Sequence, residues 1–292
     1  MTQDCFGLST HVLASVEPQR HFPLFAAHGF RLLELGLSYY PWLADAERCT
    51  RLRELAERSG LRVSSFHMPY GNTVPEAGFL DLSHPDPDVR DDTLAAVQLC
   101  AGRLAELGGR FLVIHPSVRR REEASRAEGL ALLVDSVRRC VQLLDAHGRR
   151  GRLQIALELL PPGSLLHEAR DVEAVLEPLT GLPVGLCLDV NHVNLSGDLL
   201  ECIRATAGSV LTTHLSDNDG VRERHWLPGR GVIPWPDVLA ALHGGGYSGP
   251  LIYETSQEPG VGDADTVVAL RRVTDRLAAG LPPTDPADRS SG

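Results

Sequence analysis

No lysine occurs in the chain; all 28 of its basic Lys-plus-Arg positions are arginine. Schiff-base aldolase chemistry, pyridoxal phosphate linkage and a Walker phosphate loop each need a lysine amine, so those classes are excluded by composition. Cys-x-x-Cys pairs are missing as well. Cys5, Cys49, Cys100, Cys140, Cys187 and Cys202 are widely scattered, which argues against a zinc ribbon or dithiol motif and for reduced thiols buried as small hydrophobes. Positive charge is in short supply: a formal net charge of −10 gives no global attraction to a polyanion, and nucleic acid is not expected as a partner. No apolar run is long enough for a membrane span, so no membrane contact is expected. The first seven residues carry neither a basic segment nor a long apolar stretch, and a cytoplasmic location is the expectation.

What is present is a repeated strand-and-helix pattern over 292 residues, 43% of them hydrophobic. A single barrel of roughly 250 residues plus tails accounts for that length without a second domain. Strands are expected at residues 5–12, 30–35, 61–68, 111–115, 153–159, 184–194, 210–215 and 250–255. Helices are expected between them at 18–28, 46–59, 88–107, 122–147, 168–179, 198–207 and 236–243, and after the last strand at 263–279. The fold class that follows is α/β, one (β/α)8 TIM barrel over residues 1–280, with a disordered tail over 281–292 that has nothing to bury.

The sixth strand shows how such a barrel carries chemistry. Gly185, Cys187 and Asp189 are small and share one face, whereas Val184, Leu186 and Leu188 are bulky and share the other. Small residues inside, large ones against the helices and function at the C-terminal tip suit a closed parallel barrel. Three other strands end the same way, on Glu158, His214 and Glu254. Adjacent strand tips can bring Glu158, Asp189, His214 and Glu254 around one divalent cation. Three oxygens and one nitrogen suit manganese, magnesium or cobalt at least as well as zinc. His67 and His115 each end a strand just before proline, on the far side of the mouth, and are expected to shape a substrate pocket. Glu34 has inward parity near the mouth, where it can orient a ligand or bond its polar neighbours. The arginine-rich run at 118–126 is interleaved with glutamate and reads as a solvated helix start. The long Pro-, Gly- and Asn-rich loop at 69–85 is a natural substrate cover.

His115-Pro116, the run from Leu188 to His192, and the string from His214 through Asp217, Glu223, His225 and Arg230 to Trp235 resemble the xylose isomerase-like TIM barrel superfamily of sugar isomerases and epimerases. The resemblance spans nearly the whole chain. It implies a divalent-metal-dependent sugar isomerase or epimerase acting on a keto-sugar or related polyol, by proton transfer through a metal-stabilised enediolate. Glu158, Asp189, His214 and Glu254 would hold the metal, and Glu158 and Glu254 would also act as acid and base. His67, His115, His192, His225, Arg230 and Glu34 would contact the substrate, and a homo-oligomer covering the mouth fits the superfamily. His225 departs from the ketose 3-epimerase pattern, which carries arginine there. The alternatives are an endonuclease IV-like abasic-site nuclease, whose extra metals would use His67, His115, His192, Glu223 and His225, and a non-catalytic sugar-binding barrel.

Overall fold

The computed structural model describes residues 3–118, 123–146 and 153–284. Eight parallel strands close into one barrel in the order β1 to β8. In chain order the elements are β1 (Phe6–Ser9), α1 (Pro18–Ala27), β2 (Leu32–Leu35), α2 (Tyr40–Ala44), α3 (Ala46–Arg58), β3 (Arg62–His67), α4 (Pro87–Glu106), β4 (Phe111–Ile114) and α5 (Glu123–Ala146). They continue with β5 (Gln154–Glu158), α6 (Ala169–Leu176), β6 (Val184–Asp189), α7 (Val190–Asn194), α8 (Leu199–Thr206), β7 (Val210–Leu215), α9 (Trp235–Gly244), β8 (Leu251–Tyr253) and α10 (Asp263–Ala278). Among the described residues no helix is long and apolar enough to cross a membrane.

Local chemistry sets most of the helix starts. The Asp45 carboxylate accepts from the Glu47 and Arg48 N–H groups at the head of α3, and Asp86 does the same for Asp88 ahead of α4. Pro18 and Pro87 occupy first-turn positions, where a missing N–H costs nothing. The short helices α2 and α7 have no counterpart among the expected elements. α7 cuts the sixth strand off at Asp189, because the Asp189 carboxylate turns back to accept from the His192 N–H at 2.9 Å. The first strand likewise stops at Ser9, where a 3-10 turn begins, and β8 stops one residue before Glu254.

The expected parity of β6 is observed. Cys187 packs inside the barrel with Val113 and Ala156, while Leu186 and Leu188 join the large core between barrel and helices. Gly185 is required by close approach: a methyl group there would meet the Ser209 carbonyl oxygen at 2.5 Å. One register shift matters for the site. Between Leu186/Val210 and Cys187/Thr212 the pairing skips Leu211, which packs on the inner cluster, and the shift brings Asp189 level with His214.

One expectation is corrected at the periphery. Arg126 is buried rather than solvated: it pairs with Asp171 and donates to the Ser164 and Leu165 carbonyls, tying α5 to the loop after β5. The rest of that arginine run, residues 119–122, lies outside the described residues. Of the expected tail, residues 282 and 284 accept hydrogen bonds from Arg276, and Pro283 and Thr284 approach Gly229; residues 285–292 lie outside the described residues.

Candidate metal centre

The C-terminal tips of β5 to β8 converge. His214 Nδ1 is 3.2 Å from Glu158 Oε1, 3.1 Å from Glu254 Oε2 and 3.9 Å from Asp189 Oδ2. One donor atom from each of Glu158, Asp189, His214 and Glu254 falls within 4.8 Å of all the others. All four side chains are buried, and no arginine pairs with any of the three carboxylates among the described residues. Burying that much negative charge is costly unless positive charge is supplied.

The bonding pattern indicates where that charge belongs. Glu158 Oε2 and Asp189 Oδ2 are buried without a hydrogen bond among the described residues. His67 Nε2 and His115 Nε2 lie 3.0 and 3.1 Å from Glu158 Oε2, but out of line for their ring N–H to donate. Glu158 Oε2 and Asp189 Oδ2 are therefore free for a cation, while Glu158 Oε1 is hydrogen-bonded to His214 Nδ1 at 3.2 Å, and a divalent cation coordinated by oxygen and imidazole nitrogen fits the set. Glu34 completes it from behind. His214 Nε2–H donates to Glu34 Oε1 at 3.0 Å, and Ser65 Oγ donates to Glu34 Oε2 at 2.7 Å. With Nε2–H committed to Glu34, Nδ1 is the nitrogen that faces the carboxylates and is left for a cation.

Charge coupling is strong in both directions. Burial alone would raise Glu158, yet His115, His214 and His67 hold its carboxyl well below the usual range. Glu254 is likewise lowered against burial, by His214 and His67. Asp189 is raised, chiefly by burial and also by Glu158. Burial opposes a charged His214, but Cys187, Glu254, Glu34 and Glu158 keep it well above its ordinary value. Proton and cation thus compete for the same nitrogen.

A second donor group stands beside the first. His192 Nδ1–H donates to the Leu159 carbonyl at 2.9 Å and His225 Nδ1–H to the Glu254 carbonyl at 3.0 Å. Both Nε2 atoms then face one carboxylate oxygen, Glu223 Oε1, at 3.4 and 2.7 Å. His225 is placed by a left-handed backbone, φ 48°, the only non-glycine residue so disposed among the described residues. Its loop is organised by Asp217, buried and accepting from the Asn218, Gly229 and Ile233 N–H groups and from the Trp235 indole. The distinctive string from His214 to Trp235 is thereby explained as one carboxylate holding a long loop in shape.

The residues expected to contact substrate take up different places around the donor groups. His67 and His115 are not across the mouth; the stagger of β3 and β4 sets both against Glu158. Glu34 is fully buried on the edge of His214 away from the carboxylates. Arg230 pairs with Glu258 in a half-exposed position, outside both donor groups. His192 and His225 share Glu223 in the second donor group. Sequence reasoning named Asp217 within the distinctive string without giving it a role and passed over Tyr70, which leaves a signal as an aromatic residue directly after His67-Met68-Pro69.

The sequence profile of the family described as xylose isomerase-like TIM barrel matches residues 22–275. A D-psicose 3-epimerase from Ruminiclostridium cellulolyticum is 27% identical over 238 residues, covering 77% of this chain and 74% of that protein. Among solved structures, a D-tagatose 3-epimerase-like protein superposes with a TM-score of 0.76 at 21% identity, covering 94% of this chain and 98% of the other. The 3-keto-D-glucoside 4-epimerase from E. coli gives a TM-score of 0.73 at 18% identity, covering 91% and 98%. These structural likenesses concern the fold.

Proposed function

Because the chain belongs to the xylose isomerase-like TIM barrel family, we propose that it is a divalent-metal-dependent epimerase or isomerase of a keto-sugar. The observation that carries this reading is the convergence of Glu158, Asp189, Glu254 and His214 Nδ1, with two carboxylate oxygens left unbonded. The named relatives are ketose 3-epimerases and a keto-glucoside epimerase, which supports a substrate with a carbonyl beside the reacting carbon. When bound, the cation supplies positive charge that acidifies a carbon next to a carbonyl. Glu158 and Glu254 come from β5 and the end of β8, and both are held ionised, so each can accept a proton. One takes the proton and the other returns it from its own side, giving epimerisation; return to the neighbouring carbon gives isomerisation. His192 and His225 reach the same mouth and orient substrate oxygens. With no lysine in the chain, a Schiff base is not an available route.

The test is turnover of D-fructose, D-psicose, D-tagatose and a 3-keto-D-glucoside by the manganese-loaded protein in heavy water, followed by NMR. The expected result is epimer or isomer carrying solvent deuterium at the reacting carbon. Turnover without deuterium would count against two-base proton exchange, and no turnover of any sugar would refute the reading.

One observation favours a second reading, metal-dependent cleavage at abasic DNA sites. His67, His115 and the group of His192, Glu223 and His225 add donors around the first four, enough for more than one cation. Cleavage of an abasic duplex, with three metals bound per chain, would establish it in place of the sugar reaction.

A further inference from the structure

Tyr70 belongs to neither donor group, yet it is held rigidly at the same mouth. It follows β3 by three residues and opens the long loop before α4. That loop is pinned: Gly71 and Leu80 exchange backbone hydrogen bonds of 2.8 and 3.1 Å, and Leu80 and Leu82 are buried in the core. Thr73 Oγ1 donates to the Tyr70 carbonyl at 2.6 Å and accepts from the Tyr70 N–H at 3.1 Å. The phenol ring lies flat on the His115 imidazole, with centroids 3.6 Å apart and planes 6° from parallel. His115 in turn stands against Glu158.

This clamp fixes the ring against His115. A phenol is protonated at neutral pH and serves as a donor. His115, under the ring, and His67, whose ring centroid is 6.1 Å from that of Tyr70, both reach Glu158 Oε2, so the phenol ring stands at the Glu158 side of the first donor group. Among the described residues no hydrogen bond is assigned to the phenol oxygen, and it is not sealed from solvent. A stacked ring with one free polar tip loses little conformational freedom when it grips a ligand.

We infer that Tyr70 is a substrate-positioning residue, whose hydroxyl donates a hydrogen bond to an oxygen of the sugar lying over Glu158 and Glu254. The inference rests on the sugar reading of the site. The ring is set by the stack on His115, and the hydroxyl adds ground-state grip without touching the proton transfer.

The experiment uses the full chain loaded with Mn2+ and the ketose it turns over best among D-fructose, D-psicose and D-tagatose, comparing wild type with Tyr70→Phe. The phenylalanine ring keeps the stack and removes only the donor. The expected result is a KM raised about three- to tenfold with kcat within about twofold, and unchanged Mn2+ per chain and melting temperature. One monodeoxy analogue of the ketose should show the same KM with both proteins, identifying the oxygen gripped. A wild-type KM in Tyr70→Phe, or a loss of bound Mn2+, overturns the inference while leaving the sugar reading in place. A wild type inert on every sugar overturns that reading, and this inference with it.

Discussion

Replacing Glu34 by glutamine tests whether a residue that never reaches the mouth controls the metal. The Glu34 carboxylate accepts from His214 Nε2–H at 3.0 Å on one oxygen and from Ser65 Oγ at 2.7 Å on the other, with no exposure to solvent. Glutamine keeps the shape and can keep both contacts, its oxygen toward His214 and its amide toward Ser65 Oγ. The charge is what it removes. A hydrogen bond to a charged group contributes about 1.5–3 kcal/mol and a neutral one about 0.5–1.5 kcal/mol, so the imidazole loses on the order of 1 kcal/mol of support. Carboxylates behind metal-binding histidines also raise ligand basicity, and their loss typically costs about 10- to 100-fold in metal affinity. Glu34→Gln should therefore bind Mn2+ about tenfold more weakly, with kcat little changed at saturating metal. Calorimetric titration of the metal-free protein reads the affinity, and a thermal melt checks the fold. Affinity within twofold of wild type would refute the argument that the Glu34 charge supports His214 as a metal ligand.

Four further predictions follow from the same geometry. Asp189→Ala and His214→Ala should each abolish stoichiometric metal while leaving a folded barrel; metal analysis showing full occupancy in both would remove the centre from these residues. Glu158→Gln and Glu254→Gln should each lower kcat by about 10²- to 10⁴-fold, the range for a general acid or base, with circular dichroism unchanged, and undiminished rates would refute their role. Gly231→Ala should destabilise by about 1–3 kcal/mol in urea, because the added methyl meets the Asn218 carbonyl and the Asp217 carboxylate; an unshifted midpoint would contradict this packing. In the chelated protein, His67 is raised from 6.5 to about 9 and His192 to about 10, against burial, by Glu158 for the first and by Asp189 and Glu223 for the second. Their contribution to stability is present in full below pH 6.5 and disappears as pH rises through 9 to 10, so the chelated melting temperature should fall across that window, and a rise there would contradict the charge network.

Much of this protein was legible in its residues. Alternation along Val184 to Asp189 gave the inward face of β6, and the recurrence of an acid or imidazole at four strand ends gave the donor set, since a strand's two-residue period and its tip are local properties. Helix starts were readable where a capping aspartate or a first-turn proline stands, as at Asp45, Asp86 and Pro18. The expected strand over 184–194 ran too far because Asp189 was read as a ligand alone, whereas its second oxygen caps α7. Distances across the barrel belong to stagger and closure, which no local pattern encodes. Those decide that His67 and His115 stand against Glu158, that Glu34 reaches His214 from 180 residues away, and that Arg126 is buried against Asp171 instead of solvated. The sequence determined which side chains arrive at the mouth, because parity is set within each strand. Which of them touch was decided only when eight strands closed and their register fixed every tip against its neighbours.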